Sequence, residues 1–188
     1  MQADINQWKK EIDEISEKFR SSFGNLTEAE LNWKADAHTW SIAQNIDHLM
    51  LINKSYYPII QKALQKKLDL PWFAKLSFVH KNVGRMILMA SQPDRKKKLS
   101  TMPVWMPATG NLSADIVEQF VKHQDEFKQV MEGCRSLLMN NTLIHSPANN
   151  SIVYKLSDAF EIIIAHEKRH YEQANESMLL MRQNNFSN

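Results

Sequence analysis

The chain has 188 residues, the size of one domain, and its 43% of hydrophobic residues can fill a core, which excludes wholesale disorder. Lys+Arg 23 against Asp+Glu 21 leaves a formal charge of +2, no electrostatic footprint for nucleic acid. The lone cysteine, Cys134, suits a reducing cytoplasm, the first residues lack an apolar signal core, and no run nears the ~18 apolar residues of a membrane span.

Ile5, Trp8, Ile12, Ile15 and Phe19 recur at three- and four-residue steps and predict an amphipathic helix from about Asp4 to Ser22. Gly24-Asn25 stops it, and Thr27-Glu28-Ala29-Glu30 predicts a short capped helical turn. Ser41-Ile42-Ala43-Gln44 reads as a capping box with Trp40 as its hydrophobic staple. The helix it opens turns Ile42, Ile46, Leu49, Ile52, Tyr56 and Ile59 inward, and Pro58 is expected to kink it or end its first half. Residues 66 to 112 are less regular, with a helix around Ala74–Ala90, the basic run Arg95-Lys96-Lys97-Lys98, and the loop Met102-Pro103-Val104-Trp105-Met106-Pro107. A third long helix is expected from Ser113 to about Met139, on the stripe Ile116, Phe120, Phe127, Val130, Cys134 and Leu137. A loop from Asn140 to Asn150 then leads to a fourth helix, roughly Lys155 to Arg182. With few glycines and prolines, no repeat and no clear boundary, we expect an all-α chain, one domain over residues 1–188. Its architecture is a four-helix bundle with a partly helical insertion between helices 2 and 3.

The sharpest local signal is His166-Glu167-Lys168-Arg169-His170. On a helix, residues four apart sit only ~40° and ~6 Å from one another, so both imidazoles can grip one metal ion. The apolar stripe of this helix is Leu156, Phe160, Ile163, Ala174 and Met181, with His170 inside its arc and His166 at its flank. A hydrogen-bonded pair of core histidines is the alternative, but two buried at ligand spacing are costly without a shared purpose. The segment also satisfies His-Glu-x-x-His, the zinc-peptidase pattern. Only 18 residues follow His170, with neither another His nor the required Gly, which argues against a peptidase. A third donor is open between two histidines. His48 stands mid-helix at the edge of the inward arc and can meet the last helix across the core; His123, between Phe120 and Phe127, is its rival or lines the pocket, with a satisfied core histidine as its leading single role. His38 and His145 fall in loops and His80 in the insertion, where ordinary roles suffice.

The stretch Trp40-Ser41-Ile42-Ala43-Gln44-Asn45-Ile46-Asp47-His48-Leu49, combined with Ala165-His166-Glu167-Lys168-Arg169-His170-Tyr171-Glu172-Gln173-Ala174, resembles the DinB-like superfamily. Within it, the resemblance is to the branch of metal-dependent hydrolases and bacillithiol transferases, and it spans essentially the whole chain. It implies an up-down-down-up four-helix bundle whose metal is held by one His of the second helix and two of the last. Carried onto this chain, those ligands are His48, His166 and His170. The His-Pro and Gly that relatives carry before the last helix are altered here, since His145-Ser146-Pro147 splits the former and no Gly follows. Relatives move a low-molecular-weight thiol onto an electrophile or isomerise its conjugate, and dimers are common among them. The resemblance therefore implies a small-molecule substrate, a thiol cosubstrate and a homodimer.

Three neutral imidazoles suit a divalent transition metal, zinc or nickel foremost, and leave a coordination position open, the mark of a catalytic site. Such an ion can keep a thiol ionised or lower the pKa of water, so a thiol transferase and a hydrolase both follow. A non-catalytic metal-binding protein of the stress response is the third reading. Glu167 is the candidate catalytic base, with a hydrogen bond to a ligand His as its alternative role. Trp72 and Trp105 are expected over the pocket mouth, and Gln44, Asn45 and Gln173 within reach of the ligands. Arg95-Lys96-Lys97-Lys98 reads as a solvated face, and Cys134 as a small buried hydrophobe.

Overall fold

The computed structural model describes residues 4–75, 77–92 and 101–186. The basic run 95–98 lies outside them. The described residues form seven helices and one two-stranded sheet. The helices are α1 (Ile5–Phe23), α2 (Glu28–Asn32), α3 (Ile42–Leu64), α4 (Ser77–Ser91), α5 (Ile116–Gly133), α6 (Arg135–Met139) and α7 (Leu156–Phe186). The strands are β1 (Leu143–His145) and β2 (Val153–Lys155), and short 3-10 turns occupy Trp72–Lys75 and Pro103–Trp105.

Four long helices make a square in which α1 and α3 each touch both α5 and α7. Side-chain pairs fix their directions. Lys9 meets Glu132 and Arg20 meets Glu118, so α1 and α5 run oppositely. Trp8 packs on Phe160 and Phe19 on Tyr171, so α1 and α7 run together. Across α3 and α7 the partners are Asn45 with His170 and Asn53 with Glu167, an antiparallel register. The order is therefore up, down, down, up, as the resemblance implies. The two parallel neighbours, α3 and α5, need a long crossover. Residues 65–115 supply it, and within them α4 packs on α7 and β2.

The stripe read from the first segment is buried in full: Ile5, Trp8, Ile12, Ile15 and Phe19 all enter the core. Phe120, Phe127 and Phe160 meet them there, with Trp8–Phe160 and Phe127–Phe160 ring pairs 5.5 and 5.9 Å apart. Both capping boxes form, at Thr27 with Glu30 and at Ser41 with Gln44. Among the described residues, no helix is long and apolar enough to cross a membrane.

Three expectations are corrected. Of the two outcomes expected of Pro58, the ending is overturned: the proline sits inside α3, which continues to Leu64, and its exposed ring deprives one carbonyl of a bond without ending the helix. The third helix starts at Ile116 rather than Ser113 and breaks after Gly133, because Cys134 adopts ψ near 4° before α6 resumes the turn. The expected loop 140–150 contains β1, which places His145 on a strand, pairing Ile144 with Tyr154 and His145 with Val153. Tyr154 reaches the core and its hydroxyl lies 2.8 Å from that of Tyr56 on α3, pinning the hairpin to the bundle.

Candidate metal centre

Helix α3 delivers one imidazole and α7 two, and the position of each follows from its helix. The capping box at Ser41 sets the start of α3, with Gln44 N–H donating to Ser41 Oγ (3.1 Å) and Ser41 N–H to Gln44 Oε1 (3.3 Å). His48 then falls two turns into the helix, facing α7. On α7, His166 and His170 share one face, their ring centroids 4.4 Å apart. The His48 ring is 5.2 Å from His166 and 4.7 Å from His170. One ligand nitrogen from each of the three lies within 4.8 Å of the others, the one such group of His, Cys, Asp or Glu among the described residues. His48 and His170 are buried, and His166 is partly open to solvent.

Hydrogen bonds decide which nitrogens converge. His48 Nδ1 lies 2.6 Å from the Trp105 carbonyl, which can only accept, so Nδ1 carries the proton and Nε2 keeps its lone pair. His170 Nδ1 donates likewise to Asn45 Oδ1 at 2.7 Å, and the Asn45 amide is oriented by its donation to Ser41 O at 2.9 Å. The Nε2 atoms of His166 and His170 are 3.1 Å apart. His166 Nδ1 is buried without a protein partner. Burial holds all three below the ordinary imidazole pKa, His166 at about 3; neighbouring histidines and Arg169 add to the lowering at His166 and His170, whereas the Trp105 carbonyl and Asp47 oppose it at His48. Three neutral imidazoles with converging ring nitrogens fit a transition-metal ion, and the Nδ1–H bonds of His48 and His170 to oxygen acceptors are the support that metal-bound histidines ordinarily receive. The group can hold a metal.

The other expected residues fall in different places. His123 lies on α5 against Tyr57 and outside the cluster; both its nitrogens lack a protein partner, and burial pushes it down to about 4. Glu167 is fully buried, but its oxygens accept from Asn53 Nδ2 and Gln124 Nε2, each at 2.7 Å, rather than from a ligand histidine. Desolvation raises its carboxyl to about 7 against the lowering effect of those two bonds. Trp105 does stand over the site, through its carbonyl on His48 and its indole N–H on Ser55 Oγ (3.1 Å). Trp72 is 82% exposed and meets the ring of Phe73 edge-on, away from the histidines. Gln44 Nε2 reaches the Ala108 carbonyl. Cys134 is enclosed and its thiol is pushed up to about 12 by burial.

Two contributors went unread in the sequence. Trp40 is not a staple, since the fourth helical residue that it would meet is the polar Asn45. Its ring lies 4.8 Å from that of His48 and stacks on that of His170 at 5.8 Å. The carbonyl of Trp105 has no side-chain signature at all.

The model of the DinB superfamily matches residues 11–174, and the chain belongs to that family. No curated protein and no solved structure matches it.

Proposed function

We propose that this member of the DinB superfamily is a metal-dependent transferase that adds a low-molecular-weight thiol to an electrophilic small molecule. His48, His166 and His170 would hold the ion, zinc or nickel by the chemistry of three imidazoles. The observation that carries the reading is the convergence of three imidazoles, two of which, His48 and His170, already have their outward nitrogens committed to Trp105 and Asn45. A divalent ion bound there would supply the positive charge that keeps a thiol ionised at neutral pH.

The protein's own residues do the rest. Trp40 and the helix walls exclude water from two of the three imidazoles, and the partly open His166 marks the side from which substrates enter. The sulfur forms a bond to the electrophilic carbon, the leaving group departs with its electron pair, and the thiol proton passes to solvent. Such a reaction needs little proton handling, in keeping with a Glu167 carboxylate turned to Asn53 and Gln124. Hydrolysis, the alternative, needs a base, and a carboxyl raised to about 7 is suited to that task. The site takes a small molecule and offers nothing to nucleic acid; a homodimer and a cytoplasmic setting belong to the same proposal.

Metal-loaded protein incubated with an electrophile, with and without thiol, tests it. Turnover should require the thiol, and Glu167→Gln should slow it by roughly tenfold or less, against the ~10²–10⁴-fold cost of losing an essential acid–base group. Turnover without thiol that collapses in Glu167→Gln makes the protein a hydrolase. No turnover with either, beside full metal loading, leaves the non-catalytic binder.

A further inference from the structure

A second polar group is buried where α3, α5 and α7 meet. At its centre is the Glu167 carboxylate, clamped by the amides of Asn53 and Gln124. Tyr57 stands one turn beyond Asn53 on α3, and His123 immediately precedes Gln124 on α5. The rings of Tyr57 and His123 stack at 6.1 Å, and the Tyr57 phenol interacts electrostatically with Glu167. Five buried polar atoms here have no protein partner: Asn53 Oδ1, Gln124 Oε1, Tyr57 Oη and both ring nitrogens of His123.

Chemistry limits what completes them. Each amide nitrogen gives one of its two N–H groups to Glu167, and their oxygens remain as acceptors. A neutral imidazole adds one acceptor and one N–H donor, and the phenol adds an O–H. Buried groups of this kind are nearly always paired, and the loss from leaving five unpaired would rival the stability of a whole domain. The missing partner must therefore both donate and accept. It must also be small, because Asn53, Gln124 and Glu167 are completely enclosed.

We propose that these residues form a binding site for a small cluster of ordered water, separate from the metal centre and enclosed by Asn53, Tyr57, His123, Gln124 and Glu167. Water, with two donors and two acceptors, matches the inventory, and buried waters ordinarily make about three hydrogen bonds to such groups. Tyr57 is the door. Its ring also lines a cleft of about 230 Å³ with Ile60, Leu64, Val130 and Gly133, so exchange with solvent passes the phenol. The hydrated network ties α3 and α5 to α7 at the residue next to His166, holding the rotation of α7 without taking part in ligation.

A high-resolution crystal structure of the metal-loaded protein tests the site, alongside water relaxation dispersion in solution. Density the size of water should lie within hydrogen-bond distance of Tyr57 Oη, His123 and Asn53 Oδ1, with a population of long-lived internal water in solution. His123→Phe should reduce that population, and Tyr57→Phe, the milder variant, should shorten its residence time while zinc stoichiometry is unchanged. The proposal is overturned if the side chains pair with one another with nothing between them, if the density is a larger molecule, or if neither variant that folds alters the dispersion.

Discussion

Replacing Asn45 with Leu removes the acceptor that orients His170 while roughly preserving buried volume. Asn45 is 1% exposed and His170 6%, so neither can turn to solvent for a substitute. The lost bond is the 2.7 Å Nδ1–H donation that fixes the proton on Nδ1 and leaves Nε2 facing His48 and His166. Partners in this position are worth 10- to 100-fold in metal affinity, about 1.4–2.7 kcal/mol. The variant also forgoes the amide donation to Ser41 O, so with both hydrogen bonds gone thermal stability should fall by ~2 kcal/mol. Affinity is measured by competing the protein against a chromogenic zinc chelator at fixed pH. We expect Asn45→Leu to weaken zinc by 10- to 100-fold with stoichiometry unchanged, and Asn45→Asp to recover most of the loss by restoring an oxygen to His170. A folded Asn45→Leu protein that binds as tightly as the parent would refute the reasoning.

Phe160→Ala opens the core between Trp8 and Phe127 and should cost ~3–5 kcal/mol, lowering Tm by roughly 6–20 °C; a shift under about 3 °C would contradict the packing described. The metal-free protein should lose stability as pH falls from 7 to 5. The unfolded chain takes protons near pH 6.5, whereas native His166 waits until about 3 and His123 until about 4, with His48 and His170 also lowered. His166 and His123 each contribute up to ~2 kcal/mol by pH 5, His48 and His170 act in the same direction, and Glu167, raised to about 7, gains its proton first in the native state and offsets about one of them. Thermal melts across that range check the sign, and a Tm that climbs on acidification would show it to be wrong.

Much of this was legible because it is local. The α1 stripe and the Ser41 capping box depend on a few consecutive residues and on helical periodicity, and both form. The proximity of His166 and His170 is likewise a property of one helix. The arrival of His48 is tertiary, and spacing alone kept His123 as a rival; the family resemblance separated them. Other features had no local signal. Strands of three residues show no period, so β1 stayed hidden in an Asn-rich loop and β2 at the boundary before the last helix. The break at Cys134 occurs in a stripe that remains apolar on both sides, and Cys134 itself is buried. The position of Glu167 beside His166 suggested a base at the metal, but a residue 100° around the helix faces the seam of α3 and α5, and its partners Asn53 and Gln124 belong to distant segments.

Zinc bound per chain, measured on the parent, His48→Ala and His123→Ala proteins under one chelator competition, tests the three-histidine centre most directly. The parent and His123→Ala should each hold close to one ion, and His48→Ala should lose it, since only two imidazoles of one helix remain. A His48→Ala protein that keeps its ion, or a His123→Ala protein that loses it equally, would contradict the assignment.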